Sequence, residues 1–178
     1  MKITISGFPG SGTSTIAGML ADHMGLNLVS AGETFRRLAA EYNMSLEEFG
    51  VLAERDPEID MRLDMEQKRM ALEHDGILLE GRLAGHFTED ADLRVWLDAP
   101  LCVRAARISK REGKRVAHTI DETIKREECE SNRYKEYYQI DLNDHTIYDL
   151  IIDTSKHTPE EITAIILREI EERIRREE

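Results

Sequence analysis

The sequence predicts an α/β fold, a five-stranded parallel sheet with helices over both faces. Three observations carry this. Five short apolar stretches, near residues 3–5, 26–29, 77–80, 93–97 and 149–153, alternate with helical patterns, and alternation of that kind builds parallel sheets buried on both sides. A glycine-rich loop joins the first of them directly to a helix. With 178 residues and 40% hydrophobic content the chain can bury one sizeable core. It contains no repeats, linker or low-complexity segment, so residues 1–178 read as a single domain.

The first strand, Ile3-Thr4-Ile5, runs into Gly7-Phe8-Pro9-Gly10-Ser11-Gly12-Thr13-Ser14-Thr15, and the pattern Ile16-Ala17-Gly18-Met19-Leu20-Ala21 leads out as a helix. Strand, glycine loop and helix in that order predict a phosphate-binding loop. Backbone N–H groups must wrap the anion closely, which needs turns that a Cβ would block, and the next helix adds its uncapped N–H groups. Gly7 and Gly12 have the spacing of G-x-x-x-x-G-K-[ST], and Ser14 is in place, but the lysine position holds Thr13. Losing one charge-assisted hydrogen bond costs roughly 1.5–3 kcal/mol. Thr13 and Thr15 still offer hydroxyls, and a Thr13→Lys change is expected to keep or raise activity.

Leu26-Asn27-Leu28-Val29 reads as the second strand. Residues 33–42, 45–54 and 57–74 read as three helices, punctuated by a Ser45–Glu48 capping box and by Asp56-Pro57 as N-cap and first helical residue. This insertion, about 33–75, is too long for an ordinary crossover and is expected to project from the sheet. Ile77-Leu78-Leu79-Glu80 is the third strand, and Glu80-Gly81-Arg82 brings a carboxylate and an arginine to the sheet edge where ligands collect. Strand four is 93–97, followed by a helix over 101–112. A capping box at Thr119 and Glu122 predicts a helix from there to about Tyr138. Strand five, 149–153, precedes a last helix whose Ile162, Ile165, Ile166, Ile170 and Ile174 share one face and read as core.

The formal net charge of −12 argues against a nucleic-acid polymer as partner. Positive charge is instead concentrated at Arg36-Arg37 and over residues 104–135. Arg104, Arg107 and Arg111 read as one side of their helix, opposite Leu101, Ala105 and Ile108, on a mobile segment that closes over a nucleotide. Arg126, Glu130 and Arg133 share a helix face. They read equally as a surface salt-bridge ladder or as a carboxylate holding two guanidinium forks for a phosphate. Cys102 and Cys129 fit neither a disulfide framework nor a metal site. They read as small buried or half-buried side chains in a reducing, cytoplasmic protein. No signal peptide or membrane-length apolar run is present, and a monomer is expected.

Taken together, Gly7-x-Pro9-Gly10-x-Gly12, Ser30-Ala31-Gly32-Glu33-Thr34-Phe35-Arg36, Glu80-Gly81-Arg82, Arg126-Glu127-x-x-Glu130-x-x-Arg133, Tyr138-x-Ile140-Asp141 and Tyr148-Asp149-Leu150-Ile151-Ile152-Asp153-Thr154-Ser155 resemble the nucleoside monophosphate kinases, most closely the archaeal type of cytidylate kinase. The resemblance implies a three-layer P-loop NTPase fold with a nucleotide-binding helical insertion and an arginine-rich lid near 104–135. It implies transfer of the γ-phosphoryl group of ATP to CMP or dCMP with Mg2+. Residues 7–15 would cradle the ATP phosphates, with Ser14 and Thr15 toward the metal. Gly32, Arg36, Arg82, Arg126, Glu130 and Arg133 would hold the acceptor, and Arg107, Arg111, Arg126 and Arg133 would serve the transferring phosphoryl. Glu130 stands where relatives carry aspartate. Two further readings remain open: the same fold with UMP, AMP or a small metabolite as acceptor, and a nucleotide-binding module weakened in catalysis by Thr13.

Overall fold

The computed structural model describes residues 1–74 and 76–177, with the side chains of 46, 47, 54, 60, 71 and 177 outside the description. The far end of the expected 33–75 insertion, residue 75, therefore lies outside the described residues. Among the described residues the chain forms β1 (Lys2–Gly7), α1 (Thr13–Met24), β2 (Asn27–Ser30), α2 (Ala31–Glu41), α3 (Leu46–Arg55), α4 (Pro57–Glu73), β3 (Ile77–Glu80), α5 (Ala84–Phe87), β4 (Leu93–Asp98), α6 (Leu101–Glu112), α7 (Val116–Tyr138), β5 (Leu150–Asp153) and α8 (Pro159–Glu177). The strands make one parallel sheet in the order β2-β3-β1-β4-β5.

Alternation along the strands assigns each face. Ile3 and Ile5 of β1, Leu78 of β3 and Leu93, Val95 and Leu97 of β4 point to one side, where Ile16, Ala17 and Leu20 of α1 and Ile162, Ile166 and Ile170 of α8 cover them. The opposite side presents Ile77 and Leu79 to Ala84 and Met70. Both faces are thus closed, giving three layers, and every residue of β1 is buried. The apolar stripe of α8 ends one turn earlier than expected, because Ile174 is 43% exposed.

The insertion carries a separate core of Leu38, Ala39, Phe49, Ala53 and Ile59. Ser45 and Glu48 form the expected capping box, and Asp56 caps α4 by accepting from the Glu58 N–H at 3.0 Å. The capping box expected at Thr119 is absent. Thr119 Oγ1 donates back to the Arg115 carbonyl at 3.1 Å, a bond made from inside a helix, and α7 begins at Val116. Both cysteines are exposed rather than buried.

Candidate active site

β1 lies between β3 and β4, so the loop after it opens at the carboxyl edge, where the connections diverge to opposite sides. Two glycines set its path. Gly10 (φ 81°) passes so close to α6 that a Cβ would lie 2.6 Å from the Arg104 carbonyl oxygen, and Gly12 (φ 100°) turns the chain into α1. No side chain caps α1, and the residues of its first turn line a cleft. That cleft, about 420 Å³, is lined by residues 10–16 together with Arg107, Arg111, Thr154 and His157. Thr15 is exposed at its edge. Phe8 and Pro9 turn the other way: Phe8 packs edge-on to Trp96 with ring centroids 5.3 Å apart, and Ser11 is fully buried.

Two arginines brace the loop from behind. Arg104, 6% exposed, lies on the same face of α6 as Ala105 and Ile108 rather than opposite them. It donates to the Ala99 carbonyl at 2.8 Å and the Pro9 carbonyl at 3.2 Å, pairs with Glu127, and sits 5.2 Å from the Phe8 ring centre. Arg107 donates to the Gly10 carbonyl at 3.2 Å and, on β5's continuation, to the Thr154 carbonyl at 2.8 Å. The expected mobile arginine segment does not describe these two: both are tied to the loop itself. Arg111 is exposed and pairs with Glu112 at 3.0 Å.

Across the edge, the carboxylate of Glu80 collects three hydroxyls. Thr13 Oγ1 donates to Oε1 at 2.6 Å, Ser14 Oγ to the same oxygen at 3.2 Å, and Ser30 Oγ to Oε2 at 2.8 Å. Glu80 is 6% exposed and makes no ion pair among the described residues. Sequence reasoning noted this carboxylate at a strand end without giving it a role. Its parallel register, Ile5↔Glu80 and Ser30↔Glu80, is what brings it to the loop.

A second carboxylate organises the far side. Glu130 of α7 meets Arg82 Nε at 2.6 Å and Arg126 Nε at 2.9 Å; Arg82 and Glu130 are nearly buried, at 17% and 10%, while Arg126 remains 60% exposed. Next to them lie Arg133, whose guanidinium is 5.2 Å from the Tyr134 ring centre, and Tyr138, whose hydroxyl donates to Asp64 at 3.2 Å. Burial, then the negative charge of Glu130, pushes the Tyr134 phenol up to about 12. It therefore stays a neutral wall of the site. Burial and Asp64 likewise hold the Tyr138 phenol above its usual range. Arg36 is exposed on α2 with no partner among the described residues. At Gly32 a Cβ would meet nothing closer than Ser30 Oγ at 3.6 Å, so packing within the chain does not demand glycine there.

Residues 2–156 match the family model of the cytidylate kinase-like family. The chain belongs to that family. It is 52% identical over 97% of its length to a cytidylate kinase of Methanocella arvoryzae, covering 98% of that protein. It is 50% identical over 96% of its length to one of Archaeoglobus fulgidus, covering 95%. Among solved structures it is similar to an uncharacterized protein from Eubacterium ventriosum, at 20% identity with a TM-score of 0.72 over 96% of this chain and 98% of that one. A shikimate kinase from Bacteroides thetaiotaomicron follows at 15% identity, with a TM-score of 0.64 over 97% and 98%. At such identities the structures bear on the fold alone, and they agree with the three-layer α/β reading.

For a member of the cytidylate kinase-like family the arrangement has a clear chemical reach. One side presents the uncapped first turn of α1 in a cleft. The other offers guanidinium groups from the β3–α5 loop and from α7, held at fixed separation by one carboxylate.

Proposed function

We propose that the chain is a cytidylate kinase, transferring the γ-phosphoryl group of ATP to CMP or dCMP and producing CDP or dCDP. The observation that carries the reading is the Glu130 carboxylate bridging Arg82 and Arg126 across from a phosphate-type loop. The equal choice between a salt-bridge ladder and a phosphate grip is tilted by Arg82, which comes from a different element and is nearly buried. A surface ladder needs no such recruit.

In this reading residues 7–15 form the donor-phosphate loop, with the N–H groups of residues 10–15 toward the cleft and Arg107 and Arg111 lining it, and lid motion within 104–135 belongs to the part beyond the Arg104 and Arg107 anchors. Arg36, Arg82, Arg126 and Arg133 hold the acceptor phosphate and sugar side with Glu130, and Gly32 lets the α2 backbone approach the acceptor. Phosphoryl transfer depends mainly on positioning and charge neutralisation. The acceptor is already an anion, so no strong general base is required.

The donor set fits a magnesium ion. Ser14 Oγ and the Glu80 carboxylate are hard oxygen donors 3.2 Å apart. Among the described residues no group of three or more His, Cys, Asp or Glu could hold a metal unaided, as suits an ion carried largely by phosphate and water. Ser14 and Glu80 would hold it, with Thr15 at the cleft edge. When bound it supplies neutralisation of the β- and γ-phosphate charge.

No helix among the described residues is long and apolar enough to cross a membrane, and two exposed free cysteines suit a reducing compartment. A cytoplasmic monomer acting on nucleotides, with no nucleic-acid polymer as partner, completes the reading. It is tested by following ADP release from Mg2+·ATP with CMP, dCMP, UMP, AMP and GMP offered separately beside a no-acceptor control. Turnover confined mainly to CMP and dCMP supports it. Absence of turnover from folded, ATP-binding protein overturns it.

A further inference from the structure

Ser30 stands at the N-cap of α2 with extended backbone (φ −105°, ψ 136°), where serine is among the best capping residues. It does not cap. Its hydroxyl donates instead to Glu80 Oε2 at 2.8 Å, leaving the first-turn N–H groups of α2 without a side-chain partner. The other oxygen of the same buried carboxylate, Oε1, takes Thr13 and Ser14 from the phosphate loop. One carboxylate is thus divided between the donor loop and the first residue before the insertion. α2 carries Gly32 and Arg36 and leads into an insertion built on its own apolar core.

We propose that Ser30 is a positioning residue that couples occupancy of the donor loop to acceptor binding. The proposal rests on the reading above, in which the loop takes ATP and the α2 side takes CMP. In the rotamer that reaches Glu80 the Ser30 oxygen caps nothing; a hydroxyl can donate and accept at once, so its two uses compete through side-chain rotation. With the donor site empty, the hydroxyl is spent on Glu80 and α2 is uncapped. A donor nucleotide that engages Ser14 and brings magnesium to the Glu80 carboxylate would draw that carboxylate off Ser30 and weaken its hold. The side chain then rotates, its oxygen accepts from an α2 first-turn N–H, and the start of the acceptor helix becomes fixed. A hydrogen bond to a buried charge exchanged for a helix cap is a two-state element that both sites bias, as coupling between sites requires.

The test is calorimetric titration of the full chain with CMP, alone and in the presence of Mg2+ and a non-hydrolysable ATP analogue. The wild-type chain is expected to bind CMP at least about fivefold more tightly with the analogue bound, and the analogue to gain the same factor from CMP. In Ser30→Ala the factor falls to about one, while Ser30→Thr, which can make both bonds, keeps it. Should Ser30→Ala fail to fold, Ser30→Gly carries the same expectation, since glycine is tolerated at an N-cap. A folded Ser30→Ala or Ser30→Gly chain with the wild-type factor overturns the proposal, as does a wild-type chain that phosphorylates CMP without any coupling. A wild-type chain that neither binds nor phosphorylates CMP overturns the functional reading itself, and the coupling with it.

Discussion

Replacing Glu80 by glutamine separates what this carboxylate does for stability from what it does for function. It is 6% exposed and has three hydroxyl donors but no ion-pair partner among the described residues. Burying an unpaired charge costs several kcal/mol even after relaxation, and the substitution removes that cost. Against it, three hydrogen bonds lose their charge-assisted character, about 1 kcal/mol each, and one hydroxyl must turn to accept from the new amide. The two effects are of similar size, so net stability changes by about 1–2 kcal/mol or less on these figures. For a chain of this length that shifts Tm by only about 2–8 °C in either direction. The proposed magnesium site fares differently. Its one anionic protein donor becomes neutral, and the Mg2+ concentration for half-maximal activity is expected to rise at least about tenfold, equivalent to about 1.4 kcal/mol. Thermal melting and a Mg2+ titration of ADP release, run on the same preparation, read both quantities. A Glu80→Gln enzyme with unchanged Mg2+ dependence refutes the reasoning, and so does one that melts far below the wild type, since Glu80 would then be there for the fold.

Thr13→Lys places an ammonium beside the carboxylate that Thr13 now contacts at 2.6 Å; melting should show a raised Tm, with kcat kept or raised, because the lysine supplies the positive charge that Glu80 lacks beside it. A collapse of activity in folded protein would show a different loop geometry. Arg82→Lys keeps the charge but loses the fork that meets Glu130 at 2.6 Å; steady-state kinetics should give a CMP KM at least about tenfold higher with the ATP KM nearly unchanged, a loss of about 1.4 kcal/mol confined to one substrate. His86 packs edge-on to Tyr148 with ring centroids 6.1 Å apart, and burial, opposed by Asp144, holds its pKa below the ordinary 6.5. The unfolded chain therefore binds this proton first, and stability is expected to fall as pH drops through about 6.5 toward the lowered folded value. Denaturant unfolding of His86→Gln over the same range should show a flatter slope.

Much of the architecture was legible because it is local. The five apolar runs, the glycine loop and the caps at Ser45 and Asp56 are each decided by neighbours in sequence, and the structure bears them out. The family could be read from several motifs in order. What escaped depends on contacts far apart in the chain or on choices a pattern leaves open. Thr119 had the spacing of a cap, yet its hydroxyl found the Arg115 carbonyl one turn earlier. Arg104 looked like a solvent-facing partner of Arg107, but two carbonyl acceptors and Glu127 satisfy its guanidinium and so permit its burial. The four-residue helix α5 is too short to leave a periodic trace. The meeting of Thr13, Ser14 and Ser30 on Glu80 spans 67, 66 and 50 positions, and only strand register creates it.

The separate core of the insertion also has a mechanical consequence. Leu38, Ala39, Phe49, Ala53 and Ile59 bury one another rather than the sheet, while the far half of α4 is held to it by Met70 against Ile77 and Leu79 and by Gln67 Nε2 donating to the Glu80 carbonyl at 3.2 Å, so α2, α3 and the first turns of α4 can tilt as a body without wetting their own interior. The donor loop has no such freedom, since Arg104 and Arg107 fasten its carbonyls to α6 and Thr154. On the proposed assignment of the two sites, travel during a turnover cycle is expected to be lopsided, the acceptor side moving in toward a donor side that already holds its shape.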